Sequence, residues 1–317
     1  MIRQAVLIDL RVRMRSVGVV VAFLLLLAAV TVAVLVCFRT LGQQPAPNVN
    51  YGGVGFSGFG RTTVASDASG TFRPTLTTLT SASRGMVVLV VLAGVLAVGG
   101  GLVGAIHGAG AIAGEYERET LDLVLTTQLG GAGIMASKLL ATFLYALLLA
   151  LAMLPAFGFL LVFSNVPLNN LVVAAAVVAG SLLVGSAIGI FCSATLRSSV
   201  AAFFSAGALC TLLFVGSGAC YYLLTQVTGP LPILVQLLLL PSPIAALLSS
   251  AAEQLQGSTT VLLPALLHAS PDHPVHIIGQ WQSPLPLWTV TLALDVVLTA
   301  ALVACSTRSL RRMRPLA

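Results

Sequence analysis

From Met86 to Ala113 the chain carries no Asp, Glu, Lys or Arg. About 20 apolar residues in a helix cross a hydrocarbon core of ~30 Å, so this run is long enough to span a membrane. Comparable apolar runs lie at Val17–Phe38, Leu139–Phe163, Leu171–Ala194, Val200–Leu224 and Leu287–Cys305. The repetition of such runs constrains the fold more than any other feature. It predicts an all-α polytopic membrane protein with six transmembrane helices. Composition agrees: 8% of the 317 residues are charged and the mean hydropathy is +1.04, whereas soluble domains carry about 25% charged residues. An outer-membrane barrel is excluded, because the runs are continuous rather than alternating in period 2. Val17–Phe38 is too long for the apolar region of a cleavable signal, and no small-x-small site closes it. It is expected to stay as the first span.

The rest of the chain fits around these spans as one transmembrane domain over residues 1–317. In residues 1–16, Ile2, Val6, Leu10 and Met14 recur four apart among Arg3, Arg11, Arg13 and Arg15. That spacing puts the apolar side chains on one helical face and predicts an amphipathic helix on the cytoplasmic surface; a simple basic flank to the first span is the alternative. Residues 39–85 are rich in Gly, Ser, Thr and Asn and read as an extracytoplasmic loop. Pro155 is expected to kink the third span. Residues 225–286 hold two short apolar runs, Ile233–Leu240 and Val261–Leu267, each cut by proline. Runs this short suit re-entrant helices on the outer face, with two further full spans as the alternative.

Orientation follows from the cations. With both termini in the cytoplasm, only Arg39, Arg61, Arg73 and Arg84 of the 15 Lys and Arg residues fall outside. The positive-inside rule selects that arrangement, in a cell membrane crossed several times. The net charge of +6 is thereby explained without nucleic acid, and no basic stripe alternates with aromatic residues.

Against this apolar background the segment Gly114–Lys138, GEYERETLDLVLTTQLGGAGIMASK, is an island of charge. It holds Glu115, Glu117, Glu119 and Asp122, four of the nine acidic residues, and Lys138, the single lysine of the chain. The topology puts it in the cytoplasm. A Walker A loop needs a Gly-Lys pair whose lysine reaches the phosphates, and Lys138 follows Ser137 instead. ATP and magnesium therefore have no standard site in this chain, and an energised process would need an ATPase on another polypeptide. No GxSxG elbow or convincing hydrolase set is present, so the chain is expected not to be an enzyme.

Other side chains invite a role beside a plain structural reading. His268, His273 and His276 stand near Asp272 in the outer loop, but two intervening prolines make a shared metal-binding face doubtful, and no metal site is expected. The five cysteines form no CxxC pair and read as small buried residues. Asp295 is an acid inside a span, by default a functional candidate; substrate contact, proton handling and an interhelical hydrogen bond are all open to it. His107 is a second intramembrane polar candidate, with packing on a backbone carbonyl as its bland alternative. Gly100, Gly104 and Gly108 form a GxxxGxxxG stripe beside Ala93, Ala97, Gly101, Ala105, Ala109 and Ala113. Small residues let helices approach closely in lipid. The stripe would serve either a dimer interface or moving seam, or ordinary packing within one subunit.

The segment from Ala111 to Pro155, AIAGEYERETLDLVLTTQLGGAGIMASKLLATFLYALLLALAMLP, resembles the permease subunits of ABC-2-type ABC transporters. Their pattern is an acidic motif after span 2, then Thr-Leu-Asp/Glu-Leu-Leu, then a helix entering span 3 through Gly-Lys. Here these are Glu115-Tyr-Glu117-Arg118, Thr120-Leu121-Asp122-Leu123-Val124-Leu125, and Lys138. Glu119 stands where that family often has Gly, Gln128 where it often has Pro, and Ser137 where it often has Gly. The resemblance implies a cytoplasmic coupling helix over Gly114–Lys138, in which Glu115, Glu117, Arg118, Thr120, Leu121, Asp122 and Lys138 bind a cytoplasmic ABC ATPase. It also implies a second permease subunit, as homodimer or heterodimer, and export as the activity. A membrane scaffold that uses the same fold without moving a substrate is the competing reading.

Overall fold

A computed structural model describes residues 27–29, 31–32, 81–119, 131–155, 157–158, 166–196, 198–228, 237–252 and 286–313. Among them every regular element is helical. The elements are α1 (Ser81–Glu117), α2 (Gly131–Leu151), α3 (Leu168–Thr195), α4 (Ser199–Thr211), a π turn (Leu212–Gly216), α5 (Ser217–Thr228), a 3-10 turn (Leu237–Leu239), α6 (Pro243–Ala252) and α7 (Leu287–Met313). Among the described residues, five helices are long and apolar enough to cross a membrane: Gly85–Glu117, Gly131–Leu151, Leu168–Thr195, Ser199–Tyr221 and Leu287–Ser309. The chain is a multi-pass membrane protein. Most of the first expected span, the amphipathic helix over 1–16, most of the loop over 39–85 and the second short apolar run lie outside the described residues.

The helix ends differ from the composition boundaries, for local reasons. The expected 39–85 loop gives way to helix at Ser81. Helix α1 then runs past its apolar run to Glu117, because charged residues such as Glu are good helix formers. Its 37 residues measure about 55 Å at 1.5 Å per residue, well beyond a ~30 Å core. Glu115 and Glu117 therefore sit past the apolar layer on a rigid extension of the span. The helix stops where Glu119 takes a left-handed conformation, φ 57°, the usual closing geometry of a helix C-terminus.

The third span also corrects the expectation. Helix α2 begins at Gly131, eight residues before Leu139, so Lys138 lies inside it. Its first segment ends at Leu151, a turn at Ala152–Met153 interrupts it, and helical backbone resumes at Leu154–Pro155 and 157–158, a break beside Pro155 where the kink is expected; residues 159–163 lie outside the described residues. Pro155 has no N–H to return to the Leu151 carbonyl and its ring crowds that group. The charged segment 114–138 is thus helical at both ends, Gly114–Glu117 in α1 and Gly131–Lys138 in α2. Beyond the fifth span, α5 continues to Thr228, inside the 225–286 region. Pro243 opens α6 at the position where a helix tolerates it, and ten residues are too few to cross a bilayer.

Helices α1 and α3 form the centre and the others pack around them. Their contact is made by absent side chains. A Cβ on Gly185 would strike the Gly101 carbonyl, and one on Gly189 the Ala105 carbonyl. From the other side, a Cβ on Gly108 would lie 2.9 Å from the Ser186 carbonyl oxygen, and one on Gly104 2.8 Å from Ser186 Oγ. Gly100 meets Leu182. The glycine stripe of α1 thus faces α3 of the same chain. The alanine stripe beside it is fully buried, in part against α3 and α4. Phe214, carried by the π turn, fills the space beside Gly101, and Ser242 Oγ, just ahead of α6, donates to the Phe214 carbonyl at 3.2 Å.

Candidate functional site

The residues singled out in the charged island meet at one end of the bundle. Lys138 Nζ on α2 donates to Glu115 Oε1 on α1 at 2.6 Å. Both side chains are largely covered, 16% and 23% exposed, so this pair is better shielded than a surface ion pair. About two turns of helix bring Lys138 over the end of α1, because α2 starts early, at Gly131.

Glu117 points the other way, to α4. Its Oε1 accepts from the Ser199 amide at 2.7 Å and its Oε2 from the Ser199 hydroxyl at 2.6 Å. The first N–H groups of a helix have no partner within it. Ser198, the residue preceding α4, makes no side-chain cap. Glu117 therefore does from another helix what a cap residue does locally, and its charge suits the positive end of the α4 dipole. The Ser199 hydroxyl, then its amide, holds the Glu117 carboxyl below its ordinary pKa.

Two further serines tighten the same end. Ser193 Oγ on α3 lies 2.9 Å from the Ile112 amide and 2.8 Å from the Ala113 amide of α1, accepting from both. Ser309 Oγ on α7 donates to the Ala194 carbonyl of α3 at 2.9 Å. The ends of α1, α2, α3, α4 and α7 are fastened by side chains around the base of the segment that leaves α1.

Arg118 is exposed just past the helix, with its amide on the Gly114 carbonyl. Thr120, Leu121 and Asp122 lie outside the described residues. His107 is elsewhere, its ring 4.3 Å from that of Tyr145 on α2 in a T-shaped contact. Asp295 is on α7, buried against Gly180 of α3. Among the described residues no three His, Cys, Asp or Glu come together to hold a metal, and His268, His273 and His276 lie outside them. Sequence reasoning missed Ser199 and Ser193. The Ser-Ser pair ahead of an apolar run is a helix-start signal, but its partner is 82 residues away.

Residues 5–313 match the model for the ABC-2 family transporter protein. The chain belongs to the ABC-2 transporter family. The match extends the resemblance from the charged island to nearly the full length, and assigns this ABC-2 protein to membrane transport as a permease component. Families of this kind work with an ATPase subunit. A search among curated proteins finds no match.

Proposed function

We propose that the chain is the membrane subunit of an ABC exporter, with both termini in the cytoplasm, driven by a separate cytoplasmic ATPase that holds the ATP and magnesium. Two permease subunits pair, and each receives the ATPase through the segment between α1 and α2. The observation that carries this reading is the pair of fasteners at the base of that segment. Glu115–Lys138 ties it to α2, and Glu117–Ser199 ties it to α4. A push delivered to the segment reaches three spans together, which is how a soluble motor can turn closure into rearrangement of a membrane bundle.

This divides the labour of the motif. Glu115, Glu117 and Lys138 transmit, while Arg118, Thr120, Leu121 and Asp122 dock, with Leu121 as an apolar anchor inside a charged rim. Affinity capture of the ABC ATPase by the full-length permease tests the division. Leu121→Asp with Arg118→Ala is expected to lose the ATPase. Glu117→Ala is expected to keep capture and lose stimulation of ATP hydrolysis. Undiminished capture and stimulation by the Leu121→Asp, Arg118→Ala chain overturns the assignment.

A further inference from the structure

Several hydroxyls inside the bundle close on their own helices. Thr142, Ser181, Ser186, Thr291 and Ser306 each donate to a carbonyl three or four residues back. Thr299 does not. Its side chain is 7% exposed, and its buried Oγ1 has no hydrogen-bond partner among the described residues. One turn away on the same face of α7 is Asp295, 5% exposed. No hydrogen bond or ion pair from a described residue reaches its carboxyl group. Native proteins satisfy nearly all buried polar groups, and an ionised carboxylate is among the costliest groups to leave unpaired in a bilayer.

The surroundings limit what could answer this demand. The carboxyl lies on bare backbone, since a Cβ on Gly180 would stand 2.7 Å from Asp295 Oδ2 and 3.1 Å from Leu292 Cδ2. The space a side chain at Gly180 would need is already taken, so nothing bulky fits between the carboxyl and α3. Charged neighbours are also lacking. Of the helices packed on α7, α6 has no ionisable side chain and α3 has only Cys192. On α2, Lys138 is engaged by Glu115 and the Tyr145 ring lies on His107. On α7 itself, Cys305 and Arg308 are more than two turns further along.

A proton needs no cavity. It removes the charge and gives the carboxyl an O–H donor, and Thr299 supplies both an acceptor and a donor at the i+4 position, where helical side chains are neighbours. We propose that Asp295 is a proton-binding site of the bundle, protonated while the α3–α7 seam is closed and releasing its proton to water when the seam opens. The released proton leaves a carboxylate that water must solvate, so proton release and seam opening are linked. The Asp295 site is independent of the docking segment and of any ATPase.

The test uses the full chain in lipid nanodiscs, read by infrared difference spectra of the native chain minus Asp295→Asn across pH. A second reading is the fluorescence of Trp288, two turns from Asp295 on α7, in a Trp281→Phe background. The expected result is an Asp295-dependent carboxylic-acid carbonyl band at neutral pH that disappears as pH rises. Trp288 emission should change over the same pH range and become pH-independent in Asp295→Asn. Thr299→Val should move the band to higher frequency, as the carbonyl oxygen loses a donor. Should Asp295→Asn fail to fold, ¹³C-aspartate labelling of the native chain and of Thr299→Val carries the same reading. Absence of an acid band at neutral pH overturns the proposal, as does a band that survives the whole titration. Emission that follows sodium or potassium instead of pH also overturns it and assigns the site to an alkali cation.

Discussion

Helix α3 has two seams, and they are built on opposite terms. Toward α1 it presents Gly185 and Gly189, so that backbone meets backbone, and its polar side chains there are satisfied: Ser186 bonds its own helix and Ser193 accepts from α1. Toward α7 it presents Gly180 to a carboxyl group, and the facing helix adds Thr299 without a partner. Lipid offers no hydrophobic drive for helices to associate, so close packing and hydrogen bonds must hold them. The first seam uses both. The second gives up some of that stability, which is what a surface that has to part and rejoin requires. The central spans reflect the division: the most apolar stretches of α1 and α3 are each 61% buried, against 22% for α7.

The largest effect is expected at the tight seam. Gly189→Leu would drive a side chain into the Ala105 carbonyl, which cannot swing aside, and overpacking of this kind costs about 1–3 kcal/mol or more. Thermal unfolding in detergent should show a clear loss, or expression should fail. Gly180→Ala also introduces a collision, but with a movable carboxyl, so a smaller loss is expected. Most of that loss should vanish in an Asp295→Ala background. Coupling between touching residues runs at about 0.5–3 kcal/mol, and a double-mutant cycle on unfolding midpoints measures it. Equal losses at Gly189 and Gly180 would erase the distinction between the seams.

Smaller effects are expected where α1 leaves both seams. Glu119→Gly should raise stability by about 1 kcal/mol, because a left-handed backbone costs a residue with a Cβ roughly that much; a thermal shift reads it. The least change in global stability is expected for Glu117→Gln at neutral pH. Its signature is pH dependence. A carboxylate held below its ordinary pKa contributes fully above that ordinary value and loses the contribution as pH falls through the lowered one. The protection factor of the amides at the start of α4, exchange referred to the intrinsic rate at each pH, should therefore fall on acidification in the native chain and already be lowered at neutral pH in Glu117→Gln.

Much of this architecture was legible because lipid imposes long apolar runs, and four of the expected spans recur as helices near their stated bounds. The ends were not legible from apolarity. Glu115 and Glu117 interrupt hydropathy without interrupting α1, and Gly131–Lys138, assigned to the charged island and not to a span, forms the start of α2. The charged island was visible as an anomaly, but which of its side chains look inward was not. The Lys138–Glu115 pair joins residues of one segment and could have been suspected; Glu117 and Ser199 meet only because two spans return to the same edge. The departure of Glu119 from glycine was readable, and the structure shows its physical content, a φ of 57°. The π turn has no signature in LLFVG.

That π turn has a consequence for how the chain tolerates change in length. Each residue added to a helix rotates the helix beyond it by about 100°, and a π turn is the signature of a single added residue absorbed locally. Leu212–Gly216 therefore holds one residue of surplus helical phase between α4, whose start is gripped by Glu117, and α5, whose neighbour Ser242 grips the Phe214 carbonyl. Excising one residue within it would yield a regular helix whose two ends no longer match both anchors. The surplus residue sets the angular offset between the two faces of the membrane that this span connects.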